Sequence, residues 1–466
     1  MIWNNLTRNH ACDSDRTWYT HPTFYLLVRI ICIVVLIASF VNGVILKHND
    51  FRNHYKLGAA FLQGRPYPMQ NCKPFFANYP VGRLMINASL AIFPYRIARG
   101  ICWTISIIAL VFSLKMWHQM AQQRRAVSET KAFAAAVLSL GILLRWVVRD
   151  FDECGLQILL LFVLTAAGWA IMRHKSIMGG FLLALAATYK STPVLFFPFL
   201  LYKRKWREAI WMVLFIGMLN FLLPMIFLGW QKTLDANGVF LAKAAEVAGA
   251  TRDDPTASGV ELSPRHVNKS LRIAIARYLQ TYRPGHPLFI PHPDDVSPDK
   301  EVPNEPRPHP LFIQFLDLSA ATTNMTITCI LLVFALILAV LFRHKWGDHS
   351  PDAELAPEWA VVTALCALLS PLCWGQHLVL IIPAIFLSVR SCLGRTNAKW
   401  RIVVMWIIFV FIIAPQREII GRDLWLIIQS YKLGTIAALL CLFLVLTLPK
   451  NSTTLCDNSQ VSSGAL

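Results

Sequence analysis

Acid is scarce in this chain. Its 466 residues hold 26 Asp and Glu against 44 Lys and Arg, and charged residues of both signs make up only 15%. A soluble chain carries closer to about a quarter, so a large water-facing surface is excluded. The signatures of soluble nucleotide and hydrolytic enzymes are missing too: no GxxxxGK[ST], no GxGxxG after a strand, no HExxH and no GxSxG. Without them neither nucleotide hydrolysis nor a nucleotide cofactor is expected, and a reactive donor must arrive by another route. None of the eleven cysteines forms a CxxC pair. Most, such as Cys32, Cys329, Cys366 and Cys441, stand in apolar runs as small hydrophobes, so a zinc site is not expected, nor any other metal or cofactor.

Apolar runs fill the space that charge leaves. Residues 156–172 and 325–342 contain no Asp, Glu, Lys or Arg. Runs of roughly 17–25 residues match the hydrocarbon thickness of a bilayer. In lipid such a run must be a helix, because its backbone can be satisfied only internally. The expectation is an all-α polytopic membrane protein with about twelve transmembrane helices. They fall near 24–46, 97–117, 132–148, 156–173, 176–189, 192–202, 207–229, 325–342, 359–374, 377–390, 401–415 and 432–448. The shortest, 192–202, suggests a broken or tilted helix beside a cavity. Residues 1–23 read as a cytoplasmic segment, 24–448 as one transmembrane domain, and 449–466 as a cytoplasmic tail. The first apolar run is too long for a cleaved leader and reads as a signal anchor.

The net charge of +18 sits in short clusters between apolar runs, the pattern of cytoplasmic loops beside anionic headgroups. Membrane lipids, and no nucleic acid, are the expected partners. Arg124, Arg125 and Lys131, the RHK of 173–175, the YKRKWR of 202–207, the RHK of 343–345 and the cations of 390–401 all fall on one face if the amino terminus is inside. Two external segments, 47–96 and 231–324, are too long for turns. The first is basic from Lys47 to Lys73, against the positive-inside trend. It also includes 79–94, whose Arg83, Asn87 and flanking prolines fit an interfacial or re-entrant helix. The second holds a Pro, His and Asp-rich stretch at 283–310 that reads as irregular loop.

Four places carry candidate chemistry. Asp50 follows the first span and is an isolated acid among Lys47, Arg52 and Lys56. It is either a solvated loop acid or a general base for an acceptor hydroxyl. Lys190, between two apolar runs, either snorkels or meets a phosphate drawn from the membrane plane. In SPLCWGQH, residues 370–377, His377 is either interfacial or a donor to a phosphate, and Trp374 is a belt anchor or a binding surface. NKSLRIAIAR, residues 268–277, makes a short amphipathic helix with Arg272 and Arg277 on its polar side. A secondary transporter is the rival class, with Arg145 as its weak candidate, and a lipid-linked polymer ligase or polymerase is another.

In order along the chain these segments resemble the membrane-embedded GT-C glycosyltransferases that use polyprenyl-phosphate sugars, and family 87 among them. Asp50-Phe51 with Tyr55, Gly64 and Pro66-Tyr67 is similar to that family's opening segment, and Tyr79-Pro80 to its next. Residues 180–193, with Lys190 and Pro193, resemble a third, and Asn268-x-Ser270-Leu271 a fourth. Ser370-Pro371, Trp374 and His377 resemble a last one, in which Gln376 stands where a histidine is frequent; after Pro80, Val81 replaces a second proline. The resemblance covers about residues 24–390. It implies a GT-C-like fold and inverting transfer of a hexose, with mannose the best-known donor sugar, to a glycolipid or glycan acceptor. It implies Asp50 as the base, Lys190 and His377 on the donor phosphate, and Tyr55, Tyr79, Asn268, Arg272, Trp374 and Gln376 around the substrates. The basic segment of 47–65 would collar anionic headgroups. The implied location is a bacterial plasma membrane, with the site facing the periplasm or exterior.

Overall fold

The computed structural model describes residues 18–46, 50–65, 79–124, 126–248, 268–280, 313–344, 346, 354–393 and 398–449. The readings made for Lys47, for 283–310, for most of the amino-terminal segment and for the carboxy-terminal tail lie outside them. The described residues form helices and connecting turns, with no strand among them. Helix α1 is Pro22–Phe40, α2 Phe51–Leu62, α3 Val81–Ala91, α4 Tyr95–Gln122, α5 Glu129–Ile142, α6 Leu144–Asp152, α7 Leu156–Met172 and α8 Ser176–Tyr189. Then come α9 Phe196–Tyr202, α10 Trp206–Gly217, α11 Leu223–Leu228, α12 Trp230–Ala248, α13 Leu271–Leu279, α14 Ala320–Leu341 and α15 Leu355–Leu368. The last five are α16 Ile382–Cys392, α17 Lys399–Ile413, α18 Arg417–Ile420, α19 Arg422–Ser430 and α20 Leu433–Leu446.

Five stretches are long and apolar enough to cross a bilayer: 22–46, 95–122, 206–228, 321–341 and 375–392. Their outer faces carry the side chains lipid would cover, such as Leu26, Ile33 and Ile37 of α1 and Leu332, Leu336 and Val340 of α14. An apolar surface this continuous marks an integral membrane protein. Five shorter apolar helices, among them α7, α8, α15 and α20, pack with these spans. All fourteen residues of α15 are buried, and its Trp359 donates its indole N–H to the Leu164 carbonyl of α7 at 2.9 Å. The indole lies over Gly168, where any Cβ would fall within 2.8 Å of it.

Three differences from the sequence reading shape the site. The span expected at 132–148 is two helices, α5 and α6, bent by 73° at Leu143. Four of the nine residues in α6 are charged, which an apolar slab does not accommodate in a straight run. The span expected at 359–374 stops at Leu368, and 369–374 is an irregular loop. Two further helices occupy the segments read as external loops, α2 in the first and α12 in the second. Pro224 accounts for the placement of α12. It has no N–H to offer the Asn220 carbonyl four residues back, and α10 passes through a π turn there before α11. The freed Asn220 carbonyl accepts from the Asn237 amide of α12 at 2.9 Å, while the Asn220 side chain accepts from Gly82 N–H of α3 at 3.2 Å.

At the opposite end the basic clusters cap the bundle. Lys203, read as a loop cation, is buried instead. Its Nζ donates to the Phe342 and His344 carbonyls at 2.6 Å each and to Glu358 Oε1 at 2.7 Å. Glu358 Oε2 accepts from the Trp346 indole at 2.7 Å. Removing one partner of such a pair costs about 3–5 kcal/mol, because the other charge stays buried alone. Lys203→Met is therefore expected to lower the thermal unfolding midpoint in detergent by many degrees. Adding Glu358→Gln, which still accepts from Trp346, is expected to recover much of that loss.

Candidate active site

Where α2, α3, α6, α12, α13, the start of α7, the end of α8 and the 370–377 loop meet, they enclose a cavity of about 390 Å3. Two small cores hold its walls. One packs Leu57 and Phe61 of α2 on Val81, Leu84 and Ala88 of α3, with Leu228 and Ala236. Gly58 makes that contact possible, since a Cβ there would stand 2.3 Å from the Asn87 carbonyl oxygen. The other packs Phe51 on Ala98, Cys102, Cys154 and Leu156, which joins the start of α2 to the turn before α7.

One wall is acidic. Asp50 is open to solvent at the cavity mouth, just before α2. Its backbone N–H donates to Glu153 Oε2 at 2.7 Å, and Gln376 Nε2 reaches its Oδ2 at 3.4 Å. Glu153 Oε1 faces Arg149 at 3.4 Å. The packing around Asp50 raises its carboxyl above the ordinary carboxylate range, against the pull of Arg149 and Gln376. Burial also raises Glu153, with the Asp50 charge adding to it. The two acids titrate as a pair. Behind them the fully buried Asp150 accepts from the Gln157 and Ile158 N–H groups at 3.1 and 2.8 Å, which ties the start of α7 to α6.

The other wall is basic. Lys190 ends α8, and its Nζ is buried with no hydrogen-bond partner. Burial pushes it down to about 8. Beside it the Thr192 and Ser270 hydroxyls are also buried and without partners. His377 places Nδ1 between the Trp374 N–H at 3.2 Å and the Leu372 carbonyl at 2.9 Å. When Nδ1 accepts from Trp374, the proton sits on Nε2. Arg272 also lines the cavity and donates to Asn324 Oδ1 at 3.0 Å.

Between the walls lies an arginine absent from the candidates drawn from sequence. Arg83 of α3 is 1% exposed, with the Tyr79 and Tyr189 rings each 4.1 Å from its guanidinium. It donates to the Tyr189 carbonyl and lies 3.2 Å from His54 Nε2. Burial and this cation hold His54 well below the ordinary histidine range, so the ring is neutral at pH 7. Asp150, Glu153 and Gln157 were likewise not singled out. The signal was available: residues 149–153 hold three acids in a chain short of acid.

Most of the expected site residues meet here. Asp50, Tyr79, Lys190, Arg272, Trp374, Gln376 and His377 all line the cavity. Tyr55 and Asn268 are not among the lining residues. Tyr55 donates to the Phe93 carbonyl at 2.9 Å and packs on Tyr95, so it braces α2. Asn268 works behind the wall: its Oδ1 accepts from Ser270 and Cys373 N–H at 3.0 and 3.1 Å, and its Nδ2 donates to the Pro371 carbonyl at 3.0 Å. The segments matched to the sequence patterns therefore converge, although two of their residues support the site from behind.

The bundle of apolar membrane helices is similar, over part of its length, to a glycosyltransferase. Residues 76–259, less than half of the chain, match the model of glycosyltransferase family 87. The matched stretch contains Tyr79, Arg83, the acids of α6, Gln157 and Lys190. It leaves Asp50 on one side and Asn268 with the 370–377 loop on the other. No curated protein and no solved structure matches the chain.

Asn268 gives the wall a direct test. Each buried group it leaves unsatisfied costs about 1–3 kcal/mol, so Asn268→Ala is expected to lower the unfolding midpoint and the transferase activity together. Asn268→Asp keeps the acceptor and is expected to fall between the two, read by thermal unfolding and initial rates on the same preparations.

Proposed function

We propose that the chain transfers a hexose, mannose first among those the family resemblance implies, from a polyprenyl-phosphate sugar to a hydroxyl of a glycolipid or glycan acceptor. The observation that carries this reading is an acidic wall with Asp50 at its mouth, facing the partnerless Lys190 Nζ across one cavity. Asp50 takes the proton of the acceptor hydroxyl, whose oxygen attacks the anomeric carbon from the face opposite the phosphate. The bond from that carbon to the phosphate oxygen breaks, and the electron pair leaves with the lipid phosphate. Attack from the opposite face gives inversion. Lys190, with the Nε2 proton of His377, meets the charge growing on the leaving oxygen. Fixed donors of this kind usually supply the largest share of catalysis.

The site stands at the end of the bundle away from the basic clusters of 173–175 and 202–207. With those clusters in the cytoplasm, the reaction belongs on the periplasmic or outer face of a bacterial plasma membrane. A lipid-bound donor reaches such a cavity laterally, with its chain in the membrane.

The test is transfer of radiolabelled mannose from polyprenyl-phosphate mannose into membrane lipids and glycans. Asp50→Asn is expected to lower kcat by about 10²–10⁴, the usual contribution of a general base. Lys190→Met is expected to raise the donor KM and lower kcat. No transfer by the wild type from any polyprenyl-phosphate sugar overturns the donor assignment. Full activity in Asp50→Asn overturns the base.

The carboxyl pair adds a pH prediction. Asp50 works only when deprotonated, and its proton is held above the ordinary carboxylate range. Activity is therefore lost as pH falls, beginning above that range. Glu153→Gln removes the neighbouring negative charge, keeps an acceptor for Asp50 N–H, and is expected to move the acid limb of kcat to lower pH. A limb that stays in place separates Glu153 from the base.

A further inference from the structure

Lys190, Thr192 and Ser270 leave partnerless polar atoms on the phosphate side of the cavity, and one more stands on the acidic side. Gln157, the second residue of α7, is 6% exposed, and its Oε1 is buried without a hydrogen-bond partner. The side chain lines the cavity. Its backbone is pinned, because Gln157 N–H donates to Asp150 Oδ1 at 3.1 Å while Ile158 N–H takes Oδ2 at 2.8 Å. Asp150 lies three residues before Glu153, which holds Asp50 through its N–H at 2.7 Å. The amide is thus carried on the same rigid turn that positions the base, and on a helix made mostly of apolar residues.

A buried amide acceptor without a partner is unfavourable in the empty protein. Its position makes sense if a ligand supplies the missing hydrogen bond. A primary amide offers one acceptor and two donors in a plane, a set that two neighbouring hydroxyls on a pyranose ring can satisfy together. The phosphodiester of the donor has no O–H for Oε1 and is met by the cations of the opposite wall.

We infer that Gln157, held by Asp150, is the residue that recognises the ring hydroxyls of the hexose being transferred, and so sets which sugar the enzyme accepts. This rests on the transferase reading above. A site built to hydrogen-bond a hydroxyl discriminates strongly against the analogue that lacks it, since its own polar group is then left unpaired. Gln157 touches the sugar and takes no part in the proton transfer.

The experiment compares wild type, Gln157→Leu and Gln157→Glu in full-length protein, using polyprenyl-phosphate mannose and its 2-, 3-, 4- and 6-deoxy analogues. The wild type is expected to use at least one ring-deoxy donor about 10- to 100-fold less well in kcat/KM. Gln157→Leu is expected to lose most of that discrimination, with a higher KM for the intact donor and an unchanged acceptor KM. Its unfolding midpoint in the absence of substrate is expected to stay or rise, because an unsatisfied buried amide has been removed; a purely structural glutamine would lower it. Equal deoxy-sugar discrimination in wild type and Gln157→Leu overturns the inference while leaving the transferase reading intact. A change confined to the acceptor KM moves the amide to the acceptor sugar and overturns it equally. A wild type that transfers no sugar at all overturns both readings.

Discussion

Inside this bundle a polar group must find a partner, and the structure is arranged around meeting that demand. Lys203 is surrounded by two carbonyls and Glu358. Arg390 donates to the Ala121 carbonyl and to Gln122, and Arg401 donates to the carbonyls of Leu444 and Thr447. Arg83 leaves its Nε idle but bonds through both terminal nitrogens. Lys190 has a single nitrogen, and that nitrogen is buried without a partner. An ammonium in that position is held at a cost of several kcal/mol, which the surrounding fold must supply. Such a cost is tolerated where a ligand's charge will complete the set.

The same demand explains why the chemistry lies at breaks in helices. An unbroken span satisfies its own backbone and presents apolar side chains to lipid. Where the chain turns from α5 into α6, stops at Leu368, or leaves α8 at Tyr189, backbone and side chains need other partners. Charged residues gather there because water or protein can reach them. Asp50 stands just before α2, Glu153 just past the end of α6, Lys190 just past the end of α8 and Gln376 in the segment that follows α15. The cavity is the place where four of these ends face one another. Its outer layer, α2, α3 and α12, is amphipathic instead of spanning, and it brings Tyr79, Arg83 and Phe240 over the opening.

Most helices were legible in the sequence because an apolar run of bilayer length has few alternatives. Residues 156–173, 176–189, 192–202 and 207–229 were placed within a few residues of the observed elements. Amphipathic helices were harder. Residues 51–62 carry cations and a histidine among apolar positions, so a hydropathy window reads them as loop, although their buried set Phe51, His54, Leu57, Gly58 and Phe61 recurs at helical spacing. The α5–α6 bend has no proline to announce it, and Gly141, two residues before the break, stands in a largely apolar run. Asp50, Lys190 and His377 were found as charges out of place beside apolar runs. Arg83 was seen but explained as an interfacial residue, because its aromatic and histidine partners come from residues 54, 79 and 189, a juxtaposition that only the fold supplies. Gln157 is invisible for a different reason: its significance is a missing partner, and a missing partner is a property of three-dimensional packing.

The distribution of charge also bears on what the bundle can do. A transporter needs its ionisable groups near the middle of the slab, so that a moving element can expose them alternately to either side. Arg145, the residue that kept that reading open, lies on α6 beyond the bend, at the same end as Asp50 and Glu153. The buried pair of Lys203 and Glu358 lies at the other end and is closed by two carbonyls and an indole, with nothing left to bind a solute. The core between the two ends is α7, α15 and α16, packed with Leu, Ala, Ile and Trp. The polar groups that line the cavity, among the described residues, therefore face one side. That arrangement suits the proposed reaction, whose donor, acceptor and products would all stay at one surface of the membrane.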